Sequence, residues 1–426
     1  MFVNFRIKNY KSFKDVTDFS MEATKLKNLT DHNVFTRNNI SLLKSAVIYG
    51  ANASGKSNLL DAMEKMISII KFSTDIEKTK KYQHEPFLLN TNSEKSPTLF
   101  EFIFIIDDIR YRYGFEINAK AIILSEWLYQ KKLKLYAKEV QLFTRSKENI
   151  ILGSSFSEGK NIQKITRDNA LFLSVTAQLN GKISQKILEW FNHINILSNI
   201  RSNEFKHYSF KMLDDSKFKD KITHFIKNAD TGITRIQKSK VTYDKLKTGL
   251  ESIDNLPDVI LERLKESEMS TIETIHMQYD QDNIFTQFKT VNLDFESDGT
   301  QKLLALSAPI IDTLQSGAIL VIDELDNSMH TDLVEAIIQL FNSNETNPNN
   351  AQLIFSTHDT NLLNQAVFRR DQIWFTQKDI YGSSDLYSLI EYGKGKIRDD
   401  LALEKNYLKG KFGGKPHISS LRYEND

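Results

Sequence analysis

One stretch decides the fold of this chain, Gly50-Ala51-Asn52-Ala53-Ser54-Gly55-Lys56-Ser57, which directly follows the apolar run 45–49. An apolar strand that feeds a glycine-rich turn and then an amphipathic helix is the arrangement of a phosphate-binding loop. The glycines let the backbone N–H groups point inward, and the helix start adds its positive end. We therefore expect this loop to bind a nucleoside triphosphate, with Lys56 on the β- and γ-phosphates and Ser57 on Mg²⁺. The candidate nucleotide-binding residues are Gly50, Asn52, Ala53, Ser54, Gly55, Lys56, Ser57 and Asn58.

A pair of acids marks a second candidate strand far downstream. The run 317–322 is apolar and rich in β-branched residues, and it ends at Asp323 and Glu324. Such a run predicts a buried parallel strand, and ligands of parallel sheets gather at the carboxyl ends of the strands. We expect Asp323 to lie beside Ser57 and hold the metal through water. Glu324 is then placed to polarise the water that attacks the γ-phosphate.

A third candidate strand, 351–357, ends at His358. Apolar residues at helical spacing over 332–341 predict a crossover helix between this strand and the acid pair. We expect His358 to donate a hydrogen bond to the γ-phosphate and to sense its loss, in a catalytic group with Glu324 and Lys56.

The run Glu296-Ser297-Asp298-Gly299-Thr300-Gln301-Lys302 lies just upstream of the acid strand and opens an apolar helix. In isolation it would read as a turn and a helix cap. The order of phosphate loop, Ser-x-Gly signature, Asp-Glu pair and histidine resembles an ABC-type ATPase head. That resemblance implies an α/β fold with a mixed central sheet, flanking helices, an antiparallel β subdomain and a helical insertion. It also implies that the signature completes the nucleotide site of the opposite protomer through Ser297, Gly299, Thr300 and Lys302.

Other stretches narrow the resemblance to the OLD/SMC-like AAA family. Residues 4–15 are similar to the first strand of SMC-type and OLD-type ATPases, and residues 323–330 look like the OLD branch. Residues 166–174 and 406–413 resemble stand-alone members linked to bacterial phage defence. These are the abortive-infection ATPases of the AbiL/RloA type and the ATPase subunit of PARIS.

Two positions depart from the family pattern. His330 stands where transporter-type heads carry an aspartate, which implies an altered contact between subunits at that position. The glutamine that should touch Mg²⁺ is hard to place. Gln83 is the candidate, and an ordinary polar loop residue is the alternative.

Composition excludes several classes of protein. The chain has 426 residues, 40% of them hydrophobic, which is enough for one large core and an accessory unit. Because it has no cysteine, disulfides, thiolate catalysis and zinc ribbons are excluded. No apolar run approaches the roughly 20 residues that span a bilayer, and the start lacks a secretory segment. We therefore expect a cytoplasmic protein without a membrane partner.

Charge leaves the question of nucleic acid open. The net charge is +1, with 56 basic and 55 acidic residues, so it does not indicate a nucleic-acid binder. Basic stretches at 131–138, 217–227 and 405–415 either track phosphates or are solvated faces. A contact with DNA is therefore an expectation of the alternative function below.

The chain divides into three predicted parts. Residues 1–181 hold the β subdomain and phosphate loop, with an antiparallel hairpin at 100–116. Residues 182–289 are polar and are expected to form a mainly helical insertion, with helices at 184–191, 217–227 and 258–267. Residues 290–426 hold the signature, the acid pair and the histidine.

These features predict an ATP-driven dimer in which two heads enclose two ATP molecules. The segment after His358 is too short for the Toprim nuclease domain of OLD proteins. We therefore expect the ATPase sensor or scaffold of an anti-phage, abortive-infection system. It would be a homodimer or higher oligomer that holds an effector protein, a nuclease or toxin encoded nearby. The alternative is an SMC-like clamp that grips DNA in repair. A transporter motor would predict a shorter gap between phosphate loop and signature.

Overall fold

The computed structural model describes residues 1–80, 82–198, 202–241, 269–392 and 402–415. The chain forms two compact units. The first unit takes its residues from Met1–Asn199, Thr313–Asp326 and Val334–Asp426. The second unit takes its residues from Ile200–Asp312 and Asn327–Leu333.

The described strands, in chain order, are β1 (Phe2–Lys8), β2 (Thr17–Ser20), β3 (Val34–Arg37), β4 (Ile40–Leu43), β5 (Ser45–Gly50), β6 (Thr98–Ile106), β7 (Ile109–Ile117), β8 (Ile123–Lys132), β9 (Val140–Ser146), β10 (Asn149–Leu152), β11 (Ile194–Leu197), β12 (Ile233–Val241), β13 (Met269–Tyr279), β14 (Phe285–Asn292), β15 (Ile319–Ile322), β16 (Gln352–Ser356), β17 (Ile373–Lys378) and β18 (Ser384–Ser388). The described helices are α1 (Thr30–Asn33), α2 (Lys56–Phe72), α3 (Ile76–Lys80), α4 (Phe172–Gln178), α5 (Lys182–Asn192), α6 (Ser202–Met212), α7 (Ser216–Lys227), α8 (Asp298–Ser316), α9 (Thr331–Asn342) and α10 (Leu403–Leu408).

An antiparallel sheet of seven strands, in the order β10-β9-β8-β7-β6-β1-β2, belongs to the first unit. Its centre is the hairpin β6–β7, in which Phe100 pairs with Phe115 and the turn lies at Asp107 and Asp108. The hairpin predicted from the alternating sequence is therefore confirmed. Alternate side chains of a strand share one face, and the buried Phe100, Phe102 and Phe104 line the core on that face.

A sheet of six strands, in the order β11-β15-β16-β5-β17-β18, carries the predicted motifs. The first five strands in this order are parallel to one another, and β18 is antiparallel to β17. All residues of β5, β15 and β16 are buried, as expected for strands covered on both faces. The strands predicted at 45–49, 317–322 and 351–357 are thus confirmed, and their carboxyl ends lie at one edge of the sheet.

Helix α2 joins the phosphate loop to the core of the first unit. It begins at Lys56 and buries the apolar side chains of Leu59, Met63, Met66 and Ile70. These side chains belong to the same apolar cluster as Phe5 and Phe100 of the antiparallel sheet. The start of α2 is therefore fixed by packing along much of the helix. The predicted crossover helix at 332–341 is also present, as α9.

The second unit contains α6, α7 and a three-stranded antiparallel sheet in the order β12-β13-β14. Helix α7 buries Phe218, Ile222 and Ile226 and packs against β12. The sequence indicated a mainly helical insertion over 182–289, and the described part of this range contains both helices and strands. Helices occur at 182–192, 202–212 and 216–227, and strands occur at 194–197, 233–241, 269–279 and 285–292. The predicted helix at 258–267 lies outside the described residues.

The strands β12 and β13 contain β-branched residues among polar ones. In β12 and β13, Ile236 and Ile272 are buried, as is Thr274. Such side chains fit a pleated, half-buried surface, and packing decides the outcome more than local propensity does. Helix α5 and strand β11, which lie within the range 182–289, belong to the first unit. In the part of the chain that the structure describes, no helix is long and apolar enough to cross a membrane.

Candidate nucleotide-binding site

The phosphate loop needs both of its glycines. Gly55 has φ +119°, a conformation that side chains rarely adopt, and a Cβ atom there would lie 2.5 Å from Ser384 Oγ. A Cβ atom on Gly50 would overlap the hydroxyl oxygen of Thr376. Ala53 also has a positive φ, of 61°. The loop is therefore a tightly curled turn, as its sequence predicted.

Hydroxyl groups of neighbouring elements hold this loop. The Ser54 and Thr376 hydroxyl oxygens are 2.5 Å apart, and the Ser384 hydroxyl donates to the Ser54 carbonyl at 2.6 Å. The side-chain amide of Asn58 donates to Ser12 Oγ at 2.8 Å. Because these partners come from β17, β18 and the turn after β1, the loop is fixed from several sides.

Lys56 is buried at the mouth of the loop. Its Nζ donates to the carbonyl oxygens of Gly50 at 2.8 Å and Ala51 at 3.1 Å. Burial lowers the pKa of Lys56 to about 8, although the carboxylates of Asp323, Glu324 and Asp326 act in the opposite direction. The ammonium group of Lys56 is therefore within electrostatic reach of the acid pair, Asp323 and Glu324.

The acid pair lies where β15 ends. Ser356 of the neighbouring strand donates through its hydroxyl to Asp323 Oδ1 at 2.5 Å, and it accepts from the backbone N–H of Glu324 at 2.8 Å. Glu324 has φ 51°, in the left-handed region that is uncommon for residues other than glycine. The chain turns sharply here, so the two consecutive carboxylates have different surroundings.

His358 follows β16 and faces the second acid. Its Nε2 lies 3.9 Å from Glu324 Oε1, and its backbone N–H donates to Asp326 Oδ2 at 3.2 Å. Burial, followed by the charge of Lys56, lowers the pKa of His358, and the nearby carboxylates oppose this shift. The imidazole is therefore mainly neutral near pH 7, with one nitrogen that donates and one that accepts.

These side chains meet at one cavity of about 410 Å³ within the first unit. It is lined by Asn52, Ala53, Ser54, Gly55, Lys56, Ser57, Asn58, Glu324, His358 and Lys378. The volume is within the usual range for small-molecule sites, roughly 300–1,000 Å³. The structure thus brings together the phosphate loop, the expected base and the expected sensor histidine.

Lys378 is the lining residue that the sequence analysis missed. It ends β17, which lies beside β5 with Thr376 opposite Gly50. The side chain is exposed, and its ammonium group has no ion-pair partner among the described residues. A signal was present, because the apolar run 373–375 is followed by the polar residues 376–378. The rule that ligands gather at the carboxyl ends of parallel strands would have found it.

Oxygen donors suited to Mg²⁺ occur at this site. Ser57 lines the cavity, whereas Asp323 is not among the lining residues, although its carboxylate acts on the charge of Lys56, which does line it. Mg²⁺ prefers oxygen ligands and is usually held by one or two carboxylates together with substrate phosphates. The residues present fit that pattern. Gln83, the third expected ligand, is exposed in the irregular stretch 82–87 and is not among the cavity-lining residues.

The signature lies in the second unit, where it opens α8. Ser297 Oγ accepts from the backbone N–H of Thr300 at 3.2 Å and lies 2.9 Å from the Thr300 hydroxyl. A Cβ atom on Gly299 would overlap the carbonyl oxygen of Ser328. Lys302 Nζ donates to the carbonyl of Asn327 at 2.9 Å. The run therefore forms a turn and a helix cap, with a close backbone approach at Gly299, and the action of the signature in trans stays a prediction.

The parallel sheet, the phosphate loop and the polar strand ends define a P-loop ATPase of the AAA type. The chain belongs to the family described as "AAA domain, putative AbiEii toxin, Type IV TA system", whose model matches residues 45–364. The match runs from the strand before the phosphate loop to just past His358. No curated protein sequence matches the chain.

Proposed function

We propose that the protein is an ATP-driven dimeric switch and the sensor or scaffold subunit of a cytoplasmic anti-phage system of the abortive-infection kind. The observation that carries the proposal is the cavity where Lys56, Glu324 and His358 meet the phosphate loop. The family description contains a toxin and a type IV toxin–antitoxin system. Those words support a role in which the ATPase controls an effector protein, a nuclease or toxin, in trans.

In this proposal the loop and Lys56 hold the phosphates of ATP. Glu324 accepts a proton from a water molecule while the water oxygen bonds to the γ-phosphorus. The bond from the γ-phosphorus to the bridging oxygen breaks, and ADP and phosphate leave. A general base of this kind typically contributes about 10²–10⁴-fold to the rate. Mg²⁺, bound through Ser57 and Asp323, would neutralise charge on the β- and γ-phosphates.

His358 reports on the γ-phosphate. Because its pKa is lowered, it is neutral near pH 7 and donates one hydrogen bond without bringing a full charge. It lies 3.9 Å from Glu324, so both residues respond to the same phosphate group. Loss of that group after hydrolysis removes a shared partner of the base and the histidine.

Each complete site is proposed to contain two chains. One protomer supplies Lys56, Ser57, Asp323, Glu324 and His358, and the other supplies Ser297 and Gly299. Ser297 caps the start of α8, and the start of a helix favours an anion through its free N–H groups and dipole. A γ-phosphate held in this way joins the protomers, and its hydrolysis separates them.

The test is a tagged pull-down of Glu324→Gln with ATP, expressed with its native gene neighbours and followed by mass determination. Lys56→Ala is the control that cannot load nucleotide. A stoichiometric partner protein, bound only by Glu324→Gln, supports the scaffold. A lone dimer that binds DNA with a steep salt dependence contradicts it and favours the SMC-like clamp.

A further inference from the structure

Within the second unit, one carboxylate joins the signature to the three-stranded sheet. Glu296 directly precedes Ser297, and its Oε1 accepts from the Thr274 hydroxyl at 2.5 Å and lies 2.7 Å from His276 Nε2. The side chains of His276 and Glu296 are 25% and 12% exposed. The carboxylate is thus mostly withdrawn from water and has two side-chain donors on β13.

The strand that carries these donors is paired on both sides. β13 is the middle strand of its sheet, with a ladder to β12 on one side and to β14 on the other. Thr274 is fully buried, and its hydroxyl also lies 3.2 Å from the carbonyl oxygen of Val291 in β14. Because α7 packs against β12, the sheet has a covered face. The position of the Glu296 carboxylate is therefore set by β13, the middle strand of a sheet that packs against α7.

The backbone of Glu296 is fixed as well. Its carbonyl accepts from the side-chain amide of Gln301, one turn into α8, at 3.0 Å. Gln301 Oε1 in turn accepts from Lys206 Nζ of α6 at 3.0 Å. Ser297, the next residue along, therefore starts from a position determined by β13, α6 and α8 together.

We propose that Glu296 and His276 are positioning residues for the signature, through which the insertion sheet controls the placement of Ser297. The proposal rests on the proposed function, in which Ser297 acts on a nucleotide of the partner protomer. A catalytic contact depends on placement, since a displacement of about 1 Å can cost roughly 10²-fold in rate. His276 supplies one of the two hydrogen bonds that fix the carboxylate beside Ser297.

The test compares His276→Ala and His276→Gln with wild type. We expect His276→Ala to lower the turnover rate about 10- to 100-fold and to weaken the ATP-dependent dimer in a Glu324→Gln background. The affinity of the single chain for a fluorescent ADP analogue stays unchanged, because the phosphate loop is intact. His276→Gln keeps a side-chain N–H donor, and we expect it to restore most of the turnover.

Gln278→Ala is the matched control. Gln278 lies two residues along β13 on the same face, and its side-chain oxygen accepts from Gln287 Nε2 at 2.8 Å. This variant loses a polar side chain of β13 without touching Glu296, so we expect wild-type turnover. Thermal unfolding of all variants checks that the fold is kept.

A double-mutant cycle separates coupling from general damage. If His276 acts through Glu296, the rate losses of His276→Ala and Glu296→Ala are clearly less than additive when combined. Additive losses, or wild-type turnover in His276→Ala, would overturn the proposal. Failure of the ATP-dependent dimer, the part of the proposed function on which this proposal rests, looks different, because the parent Glu324→Gln protein would then form no dimer with ATP.

Discussion

His358 Nε2 lies 3.9 Å from Glu324 Oε1, although the two residues follow different strands. The strands β15 and β16 are parallel neighbours, with Ile322 opposite Phe355, so their carboxyl ends are adjacent. Sheet order thus places a neutral imidazole beside the proposed base. Disturbing either side chain should therefore change how the other meets the γ-phosphate.

Glu324→Gln should lower the rate of phosphate release by about 10²–10⁴-fold, because the amide cannot accept the proton from water. ATP binding should persist, since the phosphate loop is untouched. Single-turnover phosphate release measures the effect. Glu335→Gln, on the crossover helix α9, is the matched control and should behave as wild type. A wild-type rate in Glu324→Gln would show that another group is the base.

Lys378→Ala should weaken ATP binding roughly 5- to 70-fold, as expected for a lost charge-assisted contact of about 1–2.5 kcal/mol. The lysine lines the cavity beside the phosphate loop. Titration with a fluorescent ATP analogue measures the affinity. Lys409→Ala, an exposed lysine after α10, is the control for loss of one positive charge. Equal affinities for these two variants would remove Lys378 from the site.

Mixing two inactive variants tests whether the signature acts in trans. Lys56→Ala damages the phosphate loop, and Ser297→Ala damages the signature. In a mixed dimer, one site carries both changes and the other carries neither. Random pairing should therefore restore about a quarter of wild-type turnover, measured as ATP hydrolysis by the equimolar mixture. A mixture no more active than its components would mean that each signature serves its own chain.

ATP affinity should fall as the pH rises above about 8. Burial lowers the pKa of Lys56 to about 8, so the free protein loses this positive charge above that pH. Bound phosphates favour the charged form and raise the pKa again, so binding takes up a proton. The apparent Kd should then rise up to about tenfold per pH unit above 8 and stay flat below it.

The Lys56→Arg variant is the control for this pH dependence, because a guanidinium group stays charged throughout the range. Its affinity should be nearly independent of pH between about 7 and 9.5. Wild-type protein with an equally flat profile would show that Lys56 keeps its proton when no nucleotide is bound.

Local patterns were sufficient to predict the centre of the site. The phosphate loop is contiguous, and the acid pair and His358 each follow an apolar run that the structure shows as a buried parallel strand. The carboxyl ends of parallel strands lie at one edge of the sheet. Motifs that each follow such a strand can therefore be placed at one site, even when they are far apart in the sequence. No knowledge of the strand order was needed for these residues.

Other features of the site and the fold depend on strand order and packing, which cannot be predicted from a short stretch of sequence. Lys378 lies at the cavity only because β17 is the neighbour of β5, and Ser356 holds the acid pair only because β16 is the neighbour of β15. The strands at 233–241, 269–279 and 285–292 were not predicted, because packing against α7 and within the sheet outweighs their polar composition. Gln83 is not among the cavity-lining residues, and its contact with Mg²⁺ remains a prediction.

The left-handed backbone at Glu324 carries the proposed base but lowers the stability of the fold. Glycine adopts a φ of 51° without penalty, whereas a residue such as glutamate is held there at a cost of about 1–3 kcal/mol. Glu324→Gly would relieve that strain and remove the proposed base in a single change. Selection for thermal stability alone would therefore favour variants that are more stable but lack the proposed base. The glutamate is kept only while selection also acts on ATP hydrolysis.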